Sequence, residues 1–199
     1  MYDELEQEGW VILAVSQDVA GAEVAAQHYA EQGVEFPALL DPTHSVTRLY
    51  GMVNVPSGVW IDEEGRIVRP PETAWSREYR FGPMTVGGDA YLAALRDWVA
   101  QGAESEYAMG AEELALHLAP RHAERALADA SFVLGTHLFR AGELQAALPW
   151  WARAQELDPD NWNYHRDPWS LDGRPAGPRF LEKLGRLGER PYYEPPHLP

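Results

Sequence analysis

Val59-Trp60-Ile61-Asp62-Glu63-Glu64-Gly65-Arg66-Ile67-Val68 is the stretch whose reading decides the fold. Apolar and β-branched residues flank an acidic turn, and Gly65 can adopt the positive φ that a tight reversal needs. The pattern predicts an antiparallel hairpin, with strands over Gly58 to Asp62 and Arg66 to Arg69. Upstream, Trp10-Val11-Ile12-Leu13-Ala14-Val15 is a compact apolar run, the signature of a strand covered on both faces. Phe36-Pro37-Ala38-Leu39-Leu40-Asp41 predicts a second short strand, with Pro37 tolerable only near its start. Alanine-rich Gly21 to Gln32 is helix material stopped by Gly33, and a short helix is expected between Asp41 and Gly51.

Downstream, residues 70 to 88 carry Pro70, Pro71, Pro83 and Gly87-Gly88 and read as a loop. Asp89 is expected to cap a helix whose apolar face is Leu92, Leu95, Trp98 and Val99, closed by Gly102. Beyond it the pattern turns helical: Ala111 to Leu118, a break at Pro120, then Ala126 to Arg140 and Leu144 to Leu157 around Ala141-Gly142. From Asp158 the chain is rich in proline, tryptophan and tyrosine and is expected to wrap over other elements.

The order and spacing of Val11 to Ser16, Phe36 to Asp41, Leu49-Tyr50-Gly51, Val53-Asn54-Val55-Pro56 and Val59 to Val68 resemble the thioredoxin-like superfamily. The resemblance is nearest to its redoxin, alkyl hydroperoxide reductase/thiol-specific antioxidant branch and covers residues 10 to 102. It implies a parallel pair followed by the antiparallel hairpin, and a cis peptide at Val55-Pro56. It also implies a loop, Val55, Pro56 and Ser57, whose backbone pairs with an extended substrate segment; a purely structural role for Pro56 is the competing reading. Residues 127 to 160 resemble one tetratricopeptide repeat through Leu134, Gly135, Leu138, Gly142, Ala147, Trp151, Ala154, Leu157 and Pro159, with Ser131 where a tryptophan is common.

The expected fold is therefore α/β. It comprises an incomplete thioredoxin-like sheet with flanking helices over residues 1–102, a helical region with the repeat-like hairpin over 103–160, and an aromatic tail over 161–199. The family's redox motif and its preceding strand would lie upstream of Met1. Three explanations stay open: a longer natural chain carrying the cysteines, a shortened relative used for binding, or a segment supplied by another protomer. In the first case the chain is a fragment of a thiol-disulfide oxidoreductase or peroxiredoxin-like antioxidant enzyme.

With zero cysteines among 199 residues the chain holds no thiolate, so any oxidoreductase role rests on resemblance and no catalytic residue is assigned. Seven scattered histidines show no ligand spacing, Ser16, Ser57 and Ser170 lack a nucleophile elbow, and no phosphate loop is present. Neither a metal nor a cofactor is expected. A net charge of −15 opposes nucleic acid and anionic lipid. The longest apolar runs are too short to span a bilayer, and the acidic start lacks a secretory pattern, so a cytoplasmic protein is expected; the arginine and alanine bias fits a GC-rich bacterial coding sequence. A protein partner or a homodimer is the expected company. Trp150, Trp151, Trp162 and Trp169 are the candidate partner anchors, against the plainer reading that they pack the hairpin and tail.

Overall fold

The computed structural model describes residues 2–17, 21–75, 77–81, 84–118, 123–193 and 195–198. In chain order they form α1 (Tyr2–Leu5), β1 (Ala14–Ser16), α2 (Ala22–Glu31), β2 (Ala38–Leu40), α3 (Ser45–Tyr50), β3 (Ser57–Ile61) and β4 (Ile67–Thr73). There follow β5 (Tyr79–Phe81), β6 (Met84–Val86), α4 (Asp89–Gln101), α5 (Ala111–His117), α6 (Ala123–Arg140), α7 (Leu144–Leu157), α8 (Asn163–Leu171) and α9 (Ala176–Gly185). Strands among the described residues pair as three separate two-stranded ladders, β1 with β2, β3 with β4, and β5 with β6. The expected parallel pair and antiparallel hairpin are both present, but each ladder stands alone where one mixed sheet was expected. The chain divides into two compact units, residues 1–12, 50–119 and 193–199 in one, and 13–49 and 120–192 in the other.

The first unit is organised by the decisive hairpin. Gly65 does take a positive φ of 77°, and Asp62 locks the turn by accepting the amides of Glu64 and Arg66 at 3.1 and 2.8 Å. β4 continues through Pro70 and Pro71, residues expected in a loop. Two register shifts explain this: Gly58 faces Glu72, Trp60 faces Arg69 and Ile61 faces Ile67, so β4 holds extra residues that leave the prolines out of the ladder. The rest of the expected loop contains the β5–β6 hairpin, although Pro83 lies outside the described residues. The core packs Leu5, Trp60, Ala94 and Leu95 together, with Trp60 stacked on Trp98 at 5.0 Å. Leu95, Trp98 and Val99 therefore sit on the face expected of α4. Asp89 does not cap that helix. Gly88 precedes it and Asp89 is its first residue, where a carboxylate still favours the positive helix end.

The second unit joins the parallel pair to helices α6 to α9. Residues 11 to 13, expected in the first strand, lie outside β1; residues 11 and 12 belong to the first unit, and Leu13 is 61% exposed. α6 and α7 form the expected helical hairpin around Ala128, Phe132, Ala147, Trp151 and Ala154. Trp151 packs on Gly135, where an added Cβ would fall 2.6 Å from the indole. Pro120 and His122 lie outside the described residues. The tail expected merely to wrap instead builds α8 and α9. Pro168 lies inside α8 and has no N–H to give the carbonyl of Tyr164, which accepts from the Gln155 side-chain amide at 2.8 Å instead. Among the described residues no helix is long and apolar enough to cross a membrane.

Buried His165 packs against Trp169 at 5.4 Å, with its Nε2 3.2 Å from the Pro159 carbonyl. Burial, helped by the nearby Lys183 charge, pushes its pKa from 6.5 down to about 4. The unfolded chain therefore takes up this proton first as pH falls, so stability present above about 6.5 is lost progressively toward pH 4. Urea midpoints at pH 7 and pH 5 are expected to differ accordingly. His165→Gln should remove part of that difference; an unchanged slope would assign the acid sensitivity elsewhere.

Candidate functional site at the proline loop and its C-terminal strap

The Val55-Pro56 peptide is cis, as the family resemblance implies. The loop is tied to its neighbours by short local bonds. The Asn54 side chain accepts the Val55 amide at 3.0 Å, the Ser57 hydroxyl donates to the Asn54 carbonyl at 2.6 Å, and the Ala74 amide donates to the Pro56 carbonyl at 3.3 Å. Asn54 is buried, so its bonding fixes the loop against the core. Behind the loop, Gly58 leaves room for the Tyr91 hydroxyl, which accepts the Trp60 indole N–H at 2.9 Å. Burial pushes the Tyr91 phenol up to about 12, so it stays neutral throughout the physiological range.

The chain's own C-terminal segment lies on this loop. The Tyr193 hydroxyl donates to the Val55 carbonyl at 3.1 Å, and the Tyr193 ring meets Trp75 edge-on at 5.3 Å. Further along, the His197 amide donates to Glu72 Oε2 at 2.9 Å, and Leu198 packs against the core of this unit. Arg69, only 1% exposed, is paired with Glu72 and donates to the His197 carbonyl and, at 2.7 Å, to the Tyr107 carbonyl. Its guanidinium also lies 5.2 Å from the Trp60 ring centroid. A buried charge pair of this kind is tolerated because each guanidinium nitrogen and each carboxylate oxygen has a partner. The strap is thus held by backbone groups on one side and by a desolvated ion pair on the other.

The loop residues Val55, Pro56 and Ser57 lie together at the start of β3. The four tryptophans do not form one surface. Trp151 and Trp162 are buried within the helical unit, Trp169 is half-buried beneath Arg179, and Trp150 keeps 38% of its surface exposed. Among the described residues no group of three histidine, cysteine, aspartate or glutamate side chains is arranged to hold a metal ion. Sequence reasoning gave no sign of Tyr193, Arg69 or Glu72. Strict alternation puts Arg69 and Glu72 on opposite strand faces, and only the bulge around Pro70-Pro71 lets them meet.

Strand, helix, strand, helix and hairpin, with a cis proline heading the hairpin, are consistent with a thioredoxin-like α/β segment. Residues 1–69 match the model of the AhpC/TSA family, which supports a redoxin-like assignment for that stretch. No curated protein and no solved structure matches the chain.

Proposed function

We propose that this chain is a redoxin-like protein that acts by binding protein rather than by thiol chemistry, and that it self-associates as a homodimer through an open strand edge. Without cysteine, it has no thiolate to attack a disulfide or a peroxide. The observation carrying the binding proposal is the edge of β1. The Ala14 amide bonds the Pro37 carbonyl and the Ser16 carbonyl accepts the Asp41 amide, so the backbone of Val15 between them points away from β2. Such an edge recruits another strand, and exposed Leu13 immediately before it supplies apolar surface for the same contact. A second copy meeting this edge about a two-fold axis closes the assembly.

The α6–α7 hairpin, whose small residues and Trp151 follow a tetratricopeptide-like pattern, offers a further protein-binding face at Trp150. At the proline loop, an extended segment reaching the Val55 carbonyl would take the place held by Tyr193.

Light scattering at micromolar concentration and moderate salt tests the reading. The wild-type chain is expected at about twice 22.3 kDa, and the variant Leu13→Lys at the monomer mass with an unchanged circular dichroism spectrum. Leu13 is exposed, so the charge burdens the contact and not the fold. A well-folded wild-type monomer would remove the dimer.

A further inference from the structure

Within the helical unit, the basic residues gather where the rest of the molecule is acidic. From Arg174 to Arg190 the chain carries five basic and two acidic side chains, against a whole-chain balance of −15. Arg179, Lys183, Arg186 and Arg190 recur at intervals of four, three and four, which places them along one face of α9 and the turn that follows. They line a cleft of about 530 Å³ together with Gln155, Pro159, Asp160, His165, Trp169 and Glu182. That size suits a small molecule.

The four cations are not equally committed. Arg179 belongs to the fold: it binds both oxygens of Asp172 and the carbonyls of Trp169 and Arg174. Lys183 donates to the Pro159 carbonyl and sits 4.6 Å over the Trp162 ring, which leaves its other ammonium protons available to a ligand. Arg186 is paired with Glu182, and Arg190 with Asp160 at 3.1 Å; all four of these side chains are more than half exposed. Exposed pairs of that kind hold weakly, so Glu182 and Asp160 can turn to solvent when a better acceptor arrives. Burial lowers the basicity of Lys183, with the Arg190 and Arg186 charges adding to it and the Asp160 carboxylate opposing it.

We propose that this cleft binds a small dianionic oxyanion, a phosphate or a dicarboxylate, through Lys183, Arg186 and Arg190, with the half-buried Trp169 as its flat wall. Planar guanidinium forks suit both ligands, and the ammonium adds a point charge. Elsewhere the acidic surface repels such an ion, so the cleft is its favoured place on the chain.

Titration of the full chain with inorganic phosphate and, separately, with malonate tests this, each at ionic strength matched with sodium chloride. Binding is expected to raise the thermal midpoint above the chloride control, and Arg186→Ala and Arg190→Ala should each weaken it about tenfold. Arg66→Ala, an exposed arginine at the β3–β4 turn, should leave it unchanged. Binding of one probe alone identifies which oxyanion the cleft takes. No shift beyond chloride for either probe, or equal losses in all three variants, would overturn the proposal.

Discussion

Replacing Trp151 with alanine is expected to lower the unfolding free energy by about 3–5 kcal/mol, as truncation of a large core side chain does. The indole is 1% exposed, donates from Nε1 to the Thr136 hydroxyl at 3.3 Å and lies 5.6 Å from the Phe139 ring centroid. It also fills the space that Gly135 leaves on the facing helix, so its loss opens a cavity with few neighbours able to collapse into it. A typical domain has only about 5–15 kcal/mol in total, so this variant gives up a large share of that margin. Urea titration followed by far-ultraviolet circular dichroism reads the effect. Gly135→Ala probes the same contact from the other side, where overpacking typically costs about 1–3 kcal/mol. A change below about 1 kcal/mol for Trp151→Ala would mean that the hairpin core is not built around this ring.

Removing Glu72 has the second large effect. Glu72→Ala leaves the Arg69 charge buried without its carboxylate and takes away the acceptor for the His197 amide. Breaking a buried pair from one side costs about 3–5 kcal/mol, whereas replacing both partners by apolar residues is often close to neutral. The single variant is therefore expected to lose stability and to speed hydrogen exchange at the His197 amide, which has lost its acceptor. Arg69→Met with Glu72→Leu should recover most of the stability while leaving the strap loose. Similar losses in the single and double variants would show that the geometry of the pair matters beyond its charge.

These two sites differ in how far the sequence announces them. The helical hairpin was legible because Ala147, Trp151 and Ala154 repeat at helical spacing and Ala141-Gly142 punctuates the turn. The β3–β4 hairpin was legible for the equivalent reason, an apolar alternation broken by Glu63-Glu64-Gly65. What escaped is whatever depends on a local exception or on distant chain. Pro70 and Pro71 read as strand breakers because a bulge is a property of the pair of strands and not of one segment. α8 and α9 were hidden by Pro168 and by aromatic residues that contact one another out of simple period, such as Trp162 with Phe180 and Tyr192. The proline loop could be placed by resemblance, yet its contact with Tyr193 spans 138 positions and leaves no local pattern. The spacing of Lys183, Arg186 and Arg190 was visible in the sequence, but α9 had to exist before it had meaning.

Amide hydrogen exchange at Val15, followed as a function of protein concentration, tests most directly whether the chain works through an open strand edge. This amide points away from β2, so no bond within the β1–β2 ladder protects it. The expected result is fast exchange at low micromolar concentration and slow exchange once a second copy covers the edge, with Leu13→Lys fast throughout. Exchange at Val15 that is equally fast at every concentration in the wild-type chain would contradict strand pairing at β1 and the binding function built on it.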